Sequence, residues 1–186
     1  EIKIYKDRFF AIDFDNTLRC FSIKSGKEIW NIQTDKSFIK SQKKLSLIIF
    51  NEKIYFNNST GDISAADIEN GNLLWQTPTQ GSQVYGDAFY LKTSDIIANN
   101  NAIFLSNNKN QFFSLDINSG NIIWEQKINS YIRSTLIDDF IFSVSTEGFM
   151  FVTNINSGKI IRITDIFRVF KEKKRKTIKP VGFIIG

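Results

Sequence analysis

The sequence predicts an all-β fold built from four copies of one antiparallel unit, and two observations support this. An eight-residue pattern recurs along the chain: Ile, two polar residues, Gly, two further residues, an apolar residue and Trp. Blocks of 20 residues that end at this Gly also align without a gap, at offsets of 45, 49 and 38 residues. Constant length inside the blocks and variable length between them predict rigid units joined by tolerant loops. The pattern occupies residues 23–30, 68–75, 117–124 and 155–162, and the blocks are 7–26, 52–71, 101–120 and 139–158.

Each unit contains four predicted strands, rich in β-branched and aromatic residues and bounded by Asp, Asn, Ser and Gly. The units span residues 2–32, 45–76, 96–126 and 135–164 of a single predicted domain, 1–186. Residues 165–179 are predicted to be a basic loop between units, and 180–186 the first strand of a fifth unit. The predicted strands are 2–5, 8–12, 17–23 and 28–32; 45–49, 53–57, 62–68 and 73–76; 96–98, 102–106, 111–117 and 122–126; and 135–137, 140–144, 149–155 and 160–164.

Two turn positions recur in every unit. The turn between the second and third strands carries Asn or Gly at one position, and these are the residues that most readily adopt a positive φ. The turn after the third strand carries Gly, which we expect to be left-handed as well. The first set is Asn16, Gly61, Asn110 and Gly148, and the second is Gly26, Gly71, Gly120 and Gly158.

Four short antiparallel strands in roughly 45 residues are typical of one blade of a β-propeller. The blocks have no 3.6-residue periodicity, which excludes a helical solenoid. An immunoglobulin-like sandwich would not repeat one unit four times. The Trp of the fourth strand would lie over the turn of the neighbouring blade and donate its indole N–H to a backbone carbonyl. The predicted blade-docking residues are Gly26, Trp30, Gly71, Trp75, Gly120, Trp124 and Gly158, and Arg162 replaces the Trp in the last copy.

Composition excludes several kinds of site. The 186 residues are 42% hydrophobic and 23% charged, as in a globular protein. The chain has no His and one Cys, so an intramolecular disulfide, a His/Cys zinc site and a Ser-His-Asp or Cys-His catalytic group are all excluded. No apolar run reaches the length of a membrane span. Strand-like residues at both ends predict a piece of a longer repeat protein.

The repeat resembles the PQQ-type β-propeller repeat with its tryptophan-docking motif, Ala-x-Asp-x-x-Thr-Gly-x-x-x-Trp. Residues 65–75 match it best, with Ala65, Asp67, Gly71 and Trp75 at the motif positions. The resemblance extends over most of the chain and implies about four blades of a probable eight. Residues 114–124 match next best, residues 20–30 keep Ser22, Gly26 and Trp30, and residues 152–162 keep Asn154 and Gly158 but lose the Trp.

Two families share this repeat. The chain is most similar to the non-enzymatic outer-membrane assembly lipoprotein, the B component of the bacterial β-barrel assembly machinery, because its blades are short and lack long insertions. That resemblance implies a periplasmic scaffold without a cofactor, a lipid anchor upstream, and binding to the barrel-inserting subunit or to unfolded outer-membrane proteins. The polar and apolar segment 164–170, which joins two predicted blades, is also similar in character to that family.

Alternative hypotheses remain open at this point. One is a fragment of a PQQ-dependent quinoprotein dehydrogenase, whose site uses calcium ligands and often a vicinal Cys pair that this chain lacks. Another is a luminal or extracellular sensor domain. Four units are half of eight, so two copies pairing to close one ring is a further hypothesis.

Three segments are candidates for partner binding. The basic run Lys171–Lys179 would contact anionic lipid headgroups or form a solvated loop; it lacks the interleaved aromatics of single-stranded nucleic-acid sites. The long segment 77–94 carries Tyr85, Phe89 and Tyr90. These aromatic residues would either bind a partner or be buried where the loop folds over the propeller face. Arg162 marks a degenerate docking position, because it replaces the Trp. The acidic turn 13–16 is interpreted as a hairpin rather than a calcium loop, and Cys20 as a buried, inert thiol. The candidate binding residues are Tyr85, Phe89, Tyr90, Arg162, Lys173, Lys174, Arg175 and Lys176.

Overall fold

The computed structural model describes residues 1–13, 15–34, 45–79 and 90–185. Within these ranges it contains four antiparallel sheets of four strands each, joined in simple sequence order. The all-β prediction is therefore confirmed, and the predicted strand bounds agree with the observed ones to within two residues. The strands are β1 (Ile2–Tyr5), β2 (Arg8–Ile12), β3 (Thr17–Ser22), β4 (Glu28–Gln33), β5 (Leu47–Phe50), β6 (Lys53–Asn57), β7 (Ile63–Asp67), β8 (Leu73–Thr77), β9 (Ile97–Ala98), β10 (Ala102–Asn107), β11 (Gln111–Asp116), β12 (Ile122–Gln126), β13 (Thr135–Ile137), β14 (Phe140–Val144), β15 (Phe149–Asn154) and β16 (Ile160–Asp165).

The chain divides into two compact units, each of which contains two of the four-stranded repeats. The first is Glu1–Leu91 together with Ile117–Asn121, and the second is Lys92–Asp116 together with Ile122–Gly186. The first unit contains the sheets β1–β4 and β5–β8, and the second contains β9–β12 and β13–β16. Each unit has its own buried apolar cluster. The first cluster is Phe10, Ile12, Leu18, Cys20, Leu45, Leu47, Ile54, Phe56, Ala66 and Ile68, and the second is Ile97, Ala102, Phe104, Phe112, Trp124, Ile128, Ile141 and Ile155.

The turns have the backbone conformations that the sequence predicts. Asn16, Gly61, Asn110 and Gly148 have φ of 61°, 92°, 62° and 86°. The Gly after each third strand is left-handed too, with φ between 67° at Gly26 and 75° at Gly71. A positive φ costs Gly little because it has no Cβ. The second and third hairpins of each sheet are thus fixed by local sequence.

An irregularity of register recurs at one position in every sheet. It lies where the third strand pairs with the fourth, directly after the small residue of the third strand. Such a bulge bends the strand and increases its twist. Its recurrence beside each glycine turn indicates that the turn and the bulge form one structural unit. The four positions are Cys20/Phe21, Ala65/Ala66, Ser114/Leu115 and Val152/Thr153.

The segment after β16 differs from its prediction. A helical turn, α1 (Glu172–Arg175), forms inside the basic segment, which the sequence predicts to be a loop throughout. A hydrogen bond from the Arg175 backbone N–H to the Lys171 carbonyl oxygen closes this turn. Residues 180–185 form no strand, although the sequence predicts one, because they pair with no strand in the described part of the chain. No helix in the described ranges has the length and apolar character needed to cross a bilayer.

Candidate functional site

A row of three side chains crosses each sheet and ends at the docking position of the fourth strand. In the first sheet, Phe10 pairs with Cys20, and Cys20 pairs with Trp30. The small middle residue lets the aromatic rings approach each other, with the centroids of Phe10 and Trp30 5.7 Å apart. The equivalent rows are Tyr55–Ala65–Trp75, Phe104–Ser114–Trp124 and Phe142–Val152–Arg162.

Trp30 lies on the turn that follows β7. Its indole Nε1 donates a hydrogen bond to the Glu69 carbonyl oxygen at 3.1 Å. A Cβ atom built on Gly71 would lie 2.7 Å from Cδ2 of this indole, closer than real Cβ contacts. Gly71 is therefore required twice, once by its left-handed backbone and once by the ring above it.

Trp75 lies in the same way on the turn 117–121. Its Nε1 donates to the Ile117 carbonyl oxygen at 3.3 Å, and a Cβ atom on Gly120 would lie 2.5 Å from the ring. Two more side chains bind this turn: Tyr55 donates its hydroxyl to the Ile117 carbonyl oxygen at 3.5 Å, and Thr77 donates to the Gly120 carbonyl oxygen at 2.6 Å. Burial raises the pKa of Tyr55 to about 12.

Trp124 makes the corresponding contact inside the second unit. Its Nε1 donates to the Ile155 carbonyl oxygen at 2.8 Å, and a Cβ atom on Gly158 would lie 2.7 Å from its ring. The indole also meets Phe112 edge-on, with the centroids 5.5 Å apart. Only 8% of Trp124 is exposed, so this ring is held on both faces.

The glycine of the first copy and the docking position of the last copy take no part in this contact. Gly26 has the same left-handed backbone, but among the described residues no atom beyond its own chain neighbours lies within 4 Å of a Cβ built there. Arg162 occupies the Trp position of β16 and is exposed to solvent. These two positions are where the series of tryptophan–turn contacts stops within the described chain.

Two cations that were not predicted from the sequence reinforce the same turns. Arg8 donates from Nη1 to the Glu69 carbonyl oxygen at 2.8 Å and pairs through Nη2 with the Glu69 carboxylate at 2.8 Å. Lys53 donates to Oδ1 of Asn118 at 3.0 Å. Arg8 and Lys53 occupy the same block position, 45 residues apart. A cation repeated at that position was the signal that would have found them.

Many Asp and Asn side chains are engaged in turns. Asp13 accepts the backbone N–H groups of Asp15 and Thr17 at 2.9 and 3.0 Å and pairs with Arg19. Asp67 and Asn154 likewise accept N–H groups two and three residues ahead. This geometry agrees with the interpretation of 13–16 as a turn, although Phe14 lies outside the described residues. No group of three or more His, Cys, Asp and Glu that could hold a metal ion occurs among the described residues.

The basic segment is attached to the sheet at its base. The Phe167 ring covers Gly148, and the Ile166 N–H donates to the Gly148 carbonyl oxygen at 3.0 Å. Asp165 accepts the Phe167 N–H at 2.9 Å and pairs with the Arg175 guanidinium. Phe167 was not among the residues predicted from the sequence to form a site. The Asp165 carboxylate therefore binds the basic segment at two points, the Phe167 N–H and the Arg175 guanidinium.

The predicted partner-binding residues have different surroundings where the structure describes them. Tyr85 and Phe89 lie outside the described residues, and Tyr90 is 75% exposed. Lys173 is exposed, Lys174 lies over the Phe170 ring with its Nζ 4.8 Å from the centroid, and Lys176 pairs with Glu172 at 3.0 Å.

Cys20 is a free and fully buried thiol. Burial raises the pKa of this thiol, which keeps it protonated at neutral pH. The expectation of a buried packing residue agrees with its place between Phe10 and Trp30.

Comparison with known proteins assigns the fold. A family model described as outer membrane protein assembly factor BamB matches residues 2–164. No curated protein matches the sequence significantly. BamB from Moraxella catarrhalis superposes with a TM-score of 0.72 at 16% identity, over 88% of this chain and 50% of that chain. The chain has the fold of PQQ-like repeat propellers and spans about half the length of that structure.

Two other solved structures share the fold. The computationally designed Ika8 protein has a TM-score of 0.66 at 16% identity, over 88% of this chain and 48% of that one. A europium-containing methanol dehydrogenase has a TM-score of 0.68 at 12% identity, over 89% and 41%. A designed protein and an enzyme thus share this architecture, and at such identities the likeness concerns the fold alone.

Proposed function

The chain belongs to the family described as outer membrane protein assembly factor BamB, and we propose that it is a non-enzymatic, protein-binding scaffold for outer-membrane protein assembly. Its place would be the periplasm, tethered to the outer membrane in the full-length protein. Its partners would be the barrel-inserting subunit of the assembly machinery or unfolded outer-membrane proteins. The family match over residues 2–164 is the observation that carries this proposal.

The use of the polar side chains supports a scaffold. Carboxylate and amide groups that would serve as ligands in a calcium–quinone site are here acceptors for their own turns, as at Asp13, Asp67 and Asn154. The pattern residues hold turns against neighbouring strands rather than converge on a cleft. We propose that Gly71, Gly120 and Gly158 with their tryptophans dock successive blades.

Each compact unit supplies loops and exposed side chains around its sheets, which suits recognition of other proteins. Tyr90 in the first compact unit and Arg162 in the second are both exposed. Because the chain spans about half of the BamB structure it matches, we expect it to carry part of the binding surface of the whole protein.

The test is a binding measurement between the chain and the barrel-inserting subunit of the β-barrel assembly machinery. The designed Ika8 protein, which shares the fold, serves as the matched control. We expect the chain to co-elute with the subunit in size-exclusion chromatography and Ika8 to elute separately. Absence of a complex, or equal binding of both propellers, would contradict the proposal.

The same preparation distinguishes the dehydrogenase alternative. Titration with PQQ and calcium, followed by calorimetry, is expected to give no saturable heat. Tight, stoichiometric binding of the quinone would instead favour a quinoprotein fragment.

A further inference from the structure

We propose that residues 168–179, called the basic tip here, bind the surface of a membrane that contains anionic lipids. The basic tip carries seven positive side chains and one negative, a net charge of +6, whereas the whole chain has a net charge of +5. The charges outside the basic tip therefore sum to −1, so the net positive charge of the protein is concentrated in this one segment. The inference does not depend on the proposed function.

The cations of the basic tip are mostly free to face an external partner. Arg175 and Lys176 pair with Asp165 and Glu172. The remaining cations form no ion pair within the described residues and are exposed to solvent. They are Arg168, Lys171, Lys173, Lys174 and Lys179.

An apolar turn projects among these cations. The Phe170 N–H donates to the Phe167 carbonyl oxygen at 2.9 Å, so Arg168 and Val169 are the central residues of a tight turn. Val169 is 77% exposed and Phe170 is 37% exposed. The Nζ of Lys174 lies over the Phe170 ring, so a positive charge lies directly beside this apolar turn.

The base of the basic tip is fixed to the sheet, which preorganises it. The Phe167 ring packs on Gly148 directly before the basic tip, and Arg175 within the basic tip pairs with Asp165. Little conformational entropy is then lost when the tip meets a surface.

A bilayer interface is the partner that uses both features. Anionic headgroups attract the cations, and the acyl boundary accepts exposed aliphatic and aromatic side chains. The phosphates of a nucleic acid would use the cations alone and leave Val169 in water. The combination of five outward cations with an exposed Val and Phe therefore favours a lipid surface.

The test is co-sedimentation of the chain with vesicles of phosphatidylethanolamine and phosphatidylglycerol, with phosphatidylcholine vesicles for comparison. We expect binding only to the anionic vesicles, weakened by salt because the charges are exposed. The triple variant K171Q/K173Q/K174Q is expected to lose about a hundredfold in partition coefficient, at about fivefold for each cation. Val169→Ser is expected to lose about fivefold at any salt concentration.

The matched control is K24Q/K27Q/K127Q, which removes the same charge from three exposed lysines outside the basic tip. It is expected to bind within about threefold of the unaltered chain, and circular dichroism should show all variants folded. The proposal is overturned if the unaltered chain does not sediment with anionic vesicles, or if both triple variants lose binding equally. Binding to a single-stranded oligonucleotide that equals binding to vesicles would overturn it as well.

Discussion

Trp124 and Arg162 occupy the same position in two sheets of one compact unit, yet their surroundings differ completely. Both are the last members of a row that contains a Phe and a small residue, and both follow a bulge at the same register. Trp124 is buried on the Gly158 turn and donates to the Ile155 carbonyl oxygen at 2.8 Å. Arg162 is exposed and makes no such contact in the described chain.

This difference teaches that a sheet forms without a Trp at its own docking position. The sheet β13–β16 keeps its four strands, its register and its left-handed Gly158, although its Trp position holds Arg. Trp124 packs on Phe112 of its own sheet and also binds the turn of the next sheet, so its contact between the two sheets is what Arg162 lacks. We expect its removal to weaken the compact unit while each sheet's own hairpins persist.

The largest expected effect separates these two positions directly. Trp124→Ala removes a buried indole, its hydrogen bond and its edge contact with Phe112, and should cost about 3–5 kcal/mol of the free energy of unfolding. Arg162→Ala removes an exposed side chain and should cost about 0.5 kcal/mol or less. Urea unfolding followed by circular dichroism measures both, and equal losses would contradict the comparison.

A smaller effect is expected from the threonines that lie two residues after the docking positions of β8 and β16. Thr77 follows Trp75 and donates to the Gly120 carbonyl oxygen at 2.6 Å. Thr77→Val keeps the shape and removes that hydrogen bond, so the free energy of unfolding should fall by about 1 kcal/mol. Thr164, which follows Arg162, is the matched control, and Thr164→Val should change stability by about half that or less. A larger loss at Thr164 would argue that these threonines act within their own sheets.

Tyr55, which binds the same turn as Trp75, makes the free energy of unfolding depend on pH. Burial raises its pKa from 10 to about 12, so between these values the unfolded chain releases the phenolic proton and the folded chain keeps it. The unfolded state then binds fewer protons, and stability falls as pH rises from 10 to 12. Tyr55→Phe should remove this contribution, so the stability difference between the two proteins should shrink or reverse across that interval. Parallel pH profiles of the two proteins would show that Tyr55 is not held neutral by the fold.

The smallest expected effect is that of restoring the motif. Arg162→Trp should leave the free energy of unfolding within about 0.5 kcal/mol, because no further glycine turn follows β16 in the described chain. A clear gain in stability, measured by the same urea titration, would reveal a receiving surface for that position.

The local features of the fold follow from the sequence because they depend on nearest neighbours. Asn16 and Gly148 adopt positive φ since Gly has no Cβ and Asn tolerates this region more readily than most residues. Strand bounds follow from the same turns, so β2 and β6 begin and end where the alternating residues predict. The repeat itself then indicates where each indole lies.

Features that depend on unique tertiary contacts were not predictable. The helical turn α1 forms in a segment whose lysines indicate only solvation, and the pairing of Asp165 with Arg175 spans ten residues without a motif. Phe167 covers Gly148 because of the path of the segment that follows β16. The last residues form no strand because β-structure requires a partner strand as well as apolar residues.

The central claim is that the glycine turns are receptors for tryptophan, and two glycines with one backbone conformation test it. Gly26 and Gly158 have φ of 67° and 68°, but only Gly158 lies beneath an indole. Gly26→Ala should cost about 1–2 kcal/mol for the left-handed backbone alone. Gly158→Ala should cost that amount plus about 2 kcal/mol or more, since Trp124 must be displaced. A gap of that size between the two free energies of unfolding is the result expected, and equal losses at both glycines would contradict the claim.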